Sequence, residues 1–511
     1  MELFESVLTL AAVAIALLQV SRRFAIPYPT MLALAGAVVA ALPWSPSIAI
    51  DPPLALALFI APALLDAAYD LPPREMRRHW RALLSLAGVA VLVTTAAVAW
   101  AAVALAGLSL PAAIALGAIV APPDAAAAAA MLGRQNLPRG LVRVLKGESL
   151  LNDAVALLVF SAAVGIALRQ GGLSDLLPSL AFAVPGGLVV GLFSGKAYVA
   201  LAPRLAGTLG GRFFEFVSTF AVWVAAERLH LSAILAVVAF AVVVARHMPS
   251  RQSALDRVHS YSVWETTVFA LNVLAFLLIG LQAREIVLRL RPSERWEALG
   301  FGLVVLAVVV AVRVAWVLGH YSVASLIVRR RGETPPAGFR HALVVSWCGM
   351  RGLVTLAIAL ALPARFPSRD LIVLAAFTVV LGTLVVQGLT LGPLIRRLRL
   401  PPDDSLAREL VEARQRLLDA ALASLGDRAD EAAARVRSDY ELERAANAQG
   451  GPHASRLVRP RLASLLAQRV RLAELRREGQ IDDDVFHALE QELDFAELAA
   501  SPPGRLEIVE G

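Results

Sequence analysis

Residues 146–160 read KGESLLNDAVALLVF, a run that puts polar oxygen ligands inside a helix otherwise suited to lipid. Ser149 and Asp153 are four residues apart and share a helix face, with Asn152 about 100° round from Asp153. A hydroxyl beside a carboxylate offers hard oxygen ligands to an alkali cation, and the same carboxylate can take a proton instead. The plain alternative is an amphipathic helix end at the membrane surface, which Lys146 would fit. Asp153 lies well inside the apolar run, however, where a charge is costly and marks function.

The rest of the chain supplies the lipid solvent. Of 511 residues, 58% are apolar and 17% charged, with a mean hydropathy of +0.67, which excludes an ordinary soluble protein. Because a lipid-facing backbone must satisfy its own hydrogen bonds, each apolar stretch of about 20 residues is expected to be a helix. There are thirteen: roughly 4–21, 28–43, 52–70, 80–106, 111–132, 141–168, 178–202, 213–228, 230–247, 262–283, 297–322, 340–362 and 370–395. The loops on the side reached after the first stretch hold 22 Arg and Lys, those on the other side 8. Excess positive charge stays in the cytoplasm, so the N-terminus is expected outside. The acids before the first apolar run, with no Ala-x-Ala site after it, make that run a spanning helix rather than a cleaved signal.

Residues 401–511 differ in kind. They hold 15 Arg and 22 acids, whereas residues 1–400 carry a net +14, so a transmembrane domain over 1–400 and a charged, largely helical cytoplasmic tail over 401–511 are expected. A loose joint is expected at Gly450, Gly451 and Pro452. The basic residues sit in short loops rather than on an aromatic-studded surface, which gives no case for nucleic acid. Cys348 is the single cysteine, so no intramolecular disulfide forms. No Walker, Rossmann or nucleophile-elbow pattern appears; neither ATP-driven transport nor an enzyme with catalytic residues is expected, and no cofactor is.

Two further stretches break the apolar pattern. In GAIVAPPDAAAAAAML, residues 117–132, Pro122 and Pro123 remove two backbone donors and should interrupt the helix within the membrane. Asp124 follows, placed either to touch an ion or to compensate the positive end of the downstream half-helix. In SWCGMRGLVTLAIALALP, residues 346–363, Gly349 and Gly352 flank Arg351. A buried arginine needs an acid partner, with Glu148, Asp124 and Asp153 as candidates. Glu148 is favoured, because a pair with Asp153 would spoil that carboxylate as a proton carrier. The two breaks fall in the fifth and twelfth stretches, seven crossings apart. That offset is what two inverted repeats with the seventh stretch as linker would produce. Asp66, Glu215, Glu227 and Arg313 are further ionisable residues in or near spans, and Gly187, Gly191 and Gly195 form a GxxxGxxxG packing face.

These residues resemble the monovalent cation:proton antiporters of bacterial NhaP type, relatives of the animal sodium/proton exchangers. The likeness covers about residues 5–400 and rests on APPDAAAAA for a broken helix usually written SPTDPVAV, on GESLLNDAVALLVF, on WCGMRGLVTLAIALALP for a W-G-G-x-R-G segment, and on FTVVLGTLVVQGLTLGPLIRRL, residues 377–398. The resemblance implies that Asp153 carries ion and proton, and that Asn152 marks an electroneutral member. It also implies that Ser149 and Asp124 complete an alkali-cation site, that Glu148 and Arg351 form a bracing ion pair, and that Asp66 ligates through water. Na⁺, with K⁺ or Li⁺ as alternatives, and H⁺ are the implied cargo; a homodimer in the inner membrane is implied as the assembly. Pro123, Ala125 and Cys348 depart from the pattern, which leaves the preferred ion open. The rival readings are a K⁺/H⁺ or electrogenic exchanger, and a non-transporting membrane sensor whose tail signals to a partner the sequence does not name.

Overall fold

The computed structural model of the chain describes residues 2–24, 26–42, 51–69, 84–124, 127–128, 139–169, 173–248, 251–330, 338–400, 405–426, 430–448, 458–478, 480 and 482–500. Among them all regular structure is helical. The first unit, residues 1–401, begins with α1 (Glu2–Phe24), α2 (Tyr28–Ala40), α3 (Pro52–Ala55, Leu56–Ile60 and Ala61–Tyr69 in one run) and α4 (Leu84–Val89 continued by Ala90–Ala106). Then come α5 (Leu110–Val120), α6 (Arg139–Arg169), α7 (Leu173–Leu201), α8 (Leu209–Arg228), α9 (Ala233–His247) and α10 (Ala254–Arg289). It closes with α11 (Arg295–Arg330), α12 (Phe339–Trp347), α13 (Leu353–Leu360) and α14 (Arg369–Leu398). Six of the described helices are long and apolar enough to cross a membrane, lying in α4, α6, α7, α10, α11 and α14, and four shorter apolar helices accompany them. The fifth stretch is helical to Val120 and again at Ala127 and Ala128; residues 125–126 and 129–138 and the joint expected at 450–452 lie outside the described residues.

Local chemistry sets the boundaries. Pro29 and Pro111 occupy the first turns of α2 and α5, where a missing N–H costs nothing. Thr208, Ser232 and Ser253 cap α8, α9 and α10 by accepting from the N–H three residues on, at 3.1, 3.4 and 3.1 Å. The short junction Glu227–His230 separates two true helices: α8 ends at Arg228, and His230 adopts φ +56°, turning the chain back before Ser232.

The packing repeats itself. α4 packs on α5 and α5 on α6; in the second half α11 packs on α12, α13 packs on α14, and α4 and α11 meet each other. Likewise α2 pairs with α10 as α9 pairs with α3. These equivalences, one half inverted on the other, give the two-repeat architecture. Glycines allow the closest approaches: a Cβ on Gly36 would strike the Leu277 carbonyl, and one on Gly191 the Ala236 carbonyl. Gly187, Gly191 and Gly195 thus form the α7 face against α9.

The second unit, residues 402–510, contains two helical hairpins, α15 (Ser405–Leu425) with α16 (Glu431–Ala448) and α17 (Val458–Arg477) with α18 (Asp483–Ala500). Arg444 meets Asp419 at 3.4 Å in the first, and Arg469 reaches Asp494 and, at 2.9 Å, Glu497 in the second. Those carboxylates, the Asp494 hydrogen bond foremost, hold the Arg469 guanidinium above its ordinary pKa.

Candidate ion-binding site

α5 stops where the prolines begin. Ala121 to Asp124 carry no helix, and Ala121, Pro122 and Pro123 are buried. The freed carbonyls must therefore find donors within the protein. Arg351 supplies two: its Nε donates to Val120 O at 2.9 Å and its Nη2 to Ala121 O at 3.0 Å. Pro123 O accepts from Asn152 Nδ2 at 3.0 Å and, at the limit of reach, from Ser149 Oγ at 3.5 Å.

The second break, residues 348–352 between α12 and α13, crosses the first. The Asp124 N–H donates to Met350 O at 2.7 Å. A Cβ on Gly352 would overlap the Asp124 carboxylate, so a glycine is required for the crossing to close. The Arg351 N–H donates to Thr383 Oγ1 of α14 at 3.0 Å, and Arg351 Nη1 donates to the Gly349 carbonyl.

Asp153 lies beside this crossing on α6, 6% exposed. Asp124 is the ionisable neighbour whose charge acts on it, and no described residue donates a hydrogen bond to its carboxylate. Asn152 is fully buried with its Nδ2 turned to Pro123, as an acceptor carbonyl requires, which leaves Oδ1 without a partner among the described residues. Ser149 is half-buried one turn earlier. The structure thus brings Asp153, Asn152, Ser149 and Asp124 together, at the crossing formed by Pro122, Pro123, Gly349 and Gly352. Asp66 is not part of this buried cluster. Its side chain is exposed on α3, which packs on α6 where Leu65 and Ala154 share an apolar cluster.

The expected Glu148–Arg351 pair is not what forms. Glu148, 1% exposed, is held bidentately by Arg313 of α11, 3% exposed, through Nη2–Oε2 at 2.8 Å and Nη1–Oε1. Arg351 spends its side-chain donors on the open backbone carbonyls of the two breaks, Val120, Ala121 and Gly349, instead. The signal for Arg313 was present, since it is the one charge in GLVVLAVVVAVRVAWVL, residues 302–318; only the crossing of α11 with α4 and α12 shows what it meets. A third buried acid, Glu215 on α8, accepts from Ser260 Oγ at 2.9 Å and Trp264 Nε1 at 2.8 Å of α10, away from the breaks.

Comparison with known proteins gives the family and the fold. The family model described as the transmembrane sodium/hydrogen exchanger matches residues 8–397. A protein of Mycobacterium tuberculosis (strain H37Rv) named as an uncharacterized Na(+)/H(+) exchanger is 32% identical over 95% of this chain and 94% of its own. A sodium, potassium, lithium and rubidium/H(+) antiporter of Bacillus pumilus is 28% identical over 98% of this chain and 78% of its own. The structure of the sodium proton antiporter MjNhaP1 from Methanocaldococcus jannaschii shares the fold, with a TM-score of 0.59 at 18% identity, covering 78% of this chain and 99% of that one.

Proposed function

The chain belongs to the sodium/hydrogen exchanger family and is a multi-pass membrane monovalent cation:proton antiporter, and from that premise we propose that Asp153 binds one Na⁺ or one H⁺ in turn, in an electroneutral cycle. The observation that carries this reading is the placement of Asp153, a carboxylate 6% exposed beside Asp124 and the two broken helices, to which no described residue donates a hydrogen bond. Glu148 is neutralised by Arg313, which leaves the Asp153 carboxylate to be neutralised by a single Na⁺ or a single proton. An uncompensated charge within the membrane is costly, so reorientation is confined to the loaded forms, and this enforces one-for-one exchange without ATP.

In this reading Ser149, Asn152 Oδ1 and Asp124 complete the cation's oxygen shell, and Asp66 lines its approach. A core holding the two breaks moves against the other helices, and outside acidity drives cation out of the cytoplasm. The protein works as a transporter rather than an enzyme, in the inner membrane, N-terminus outside and tail cytoplasmic, as a homodimer in lipid. The test is exchange in proteoliposomes across Na⁺, K⁺ and Li⁺, with and without a clamped membrane potential. Asp153→Asn is expected to abolish cation-dependent proton movement while the protein still inserts. Retained exchange defeats the assignment, and a rate that follows the potential replaces electroneutral with electrogenic exchange. A Bacillus relative named for four alkali cations makes K⁺ the alternative cargo to compare.

A further inference from the structure

The ends of α7, α8, α9 and α10 surround a cavity of about 40 Å³ whose described lining includes no residue of the two breaks. That is room for about three water-sized groups. Its mouth is the exposed turn at residues 203–208, on the side that the sequence assigns to the cytoplasm. Deeper in, Glu215 is 7% exposed. Its carboxylate is oriented by Ser260 Oγ, at 2.9 and 3.1 Å from its two oxygens, and by Trp264 Nε1 at 2.8 Å. A carboxylate accepts at about four positions, so these donors do not exhaust it.

Tyr198 lines the same cavity. It is 4% exposed, its ring stacked on Phe214 at 5.3 Å and set edge-on to Phe240 at 5.6 Å. Its hydroxyl has no hydrogen-bond partner among the described residues, and Glu215 is the ionisable neighbour whose charge acts on it. Buried polar groups are hydrogen-bonded as a rule, so a hydroxyl left in this position near a carboxylate points to a third group that both oxygens hold. The lining side chains carry two carboxylates, Glu215 and Asp256, and one guanidinium, Arg251. An anion is therefore disfavoured, and a single positive charge balances them. Oxygen donors suit hard cations, and the single charge and small space select an alkali ion that keeps part of its water.

We propose that this cavity is a second alkali-cation site, with the Glu215 carboxylate and the Tyr198 hydroxyl as its protein ligands and Ser260 holding the carboxylate in place. It is built by helices outside the crossing, so the ion here is bound and not carried across. The site stands whether or not Asp153 is the ligand of the transported ion.

The test is thermal unfolding of the purified full chain in detergent as Na⁺ or K⁺ replaces choline at constant ionic strength, in an Asp153→Asn background that disables the transport carboxylate. A saturable rise in melting temperature is expected to remain there. Tyr198→Phe removes only the unbonded hydroxyl. It is expected to leave the melting temperature in choline unchanged and to raise the half-saturating cation concentration about fivefold or more, and Glu215→Gln should raise it at least as far. No cation-dependent rise in Asp153→Asn overturns the proposal. So does a half-saturation that Tyr198→Phe leaves unmoved, which would make water the occupant. A lower melting temperature of Tyr198→Phe in choline overturns it too, since the hydroxyl would then be bonded within the protein. Should Asp153→Asn fail to fold, the number of radioactive Na⁺ ions bound per unsubstituted chain decides, two supporting the site and one overturning it. Exchange in proteoliposomes judges the transport reading separately: exchange by the unsubstituted protein and its loss in Asp153→Asn leave that reading intact whatever Tyr198→Phe shows.

Discussion

Removing the Arg313 guanidinium tests the corrected ion pair most directly. Glu148 and Arg313 are 1% and 3% exposed and joined through both carboxylate oxygens. Arg313→Met leaves the Glu148 carboxyl buried without its partner, while Arg351 stays held by the Val120, Ala121 and Gly349 carbonyls. Breaking a buried pair from one side costs about 3–5 kcal/mol. Removing both partners restores most of it, since a buried pair contributes little net over neutral groups of like shape. Glu148→Gln with Arg313→Met should therefore be clearly more stable than Arg313→Met alone, with a coupling of about 2 kcal/mol or more. The cycle of Glu148→Gln with Arg351→Met should show much weaker coupling. Arg351→Met itself destabilises by stranding carbonyls, at about 1–3 kcal/mol each, and Glu148→Gln does nothing for those. The assay is thermal unfolding of the purified protein in detergent, scored by the fraction that stays monodisperse. Strong coupling of Glu148 to Arg351 with none to Arg313 would refute the pairing.

Gly352→Ala pushes a methyl into the Asp124 carboxylate; exchange should drop by an order of magnitude or more, while Gly300→Ala, where a Cβ meets nothing within 4 Å, should be neutral. Gly191→Leu should lower the melting temperature by separating α7 from α9, whose Ala236 carbonyl lies against that glycine. Because proton and cation compete for Asp153, the apparent cation KM in flux assays should rise as pH falls, approaching tenfold per pH unit once the protonated form dominates. A KM independent of pH would separate the two ions onto different groups.

The helical membrane architecture was legible because it follows from one-dimensional facts. Apolar run length and the prolines at 122 and 123 each act through the local backbone. Ser149, Asn152 and Asp153 were legible for the same reason: spacing on a helix fixes which side chains share a region. Partner choice was not. Arg351 and Arg313 are 38 residues apart in sequence, and both are lone charges in apolar surroundings, so nothing local says which of them meets Glu148. The crossing of the two breaks decided it, by placing stranded carbonyls within reach of one guanidinium and leaving the carboxylate to the other. The same crossing shows why position 352 is glycine, since it depends on residues 124 and 350–352 being brought together from distant parts of the chain. Hydrogen bonds and ion pairs act over a few ångströms, and at that range only the folded arrangement says which groups are neighbours.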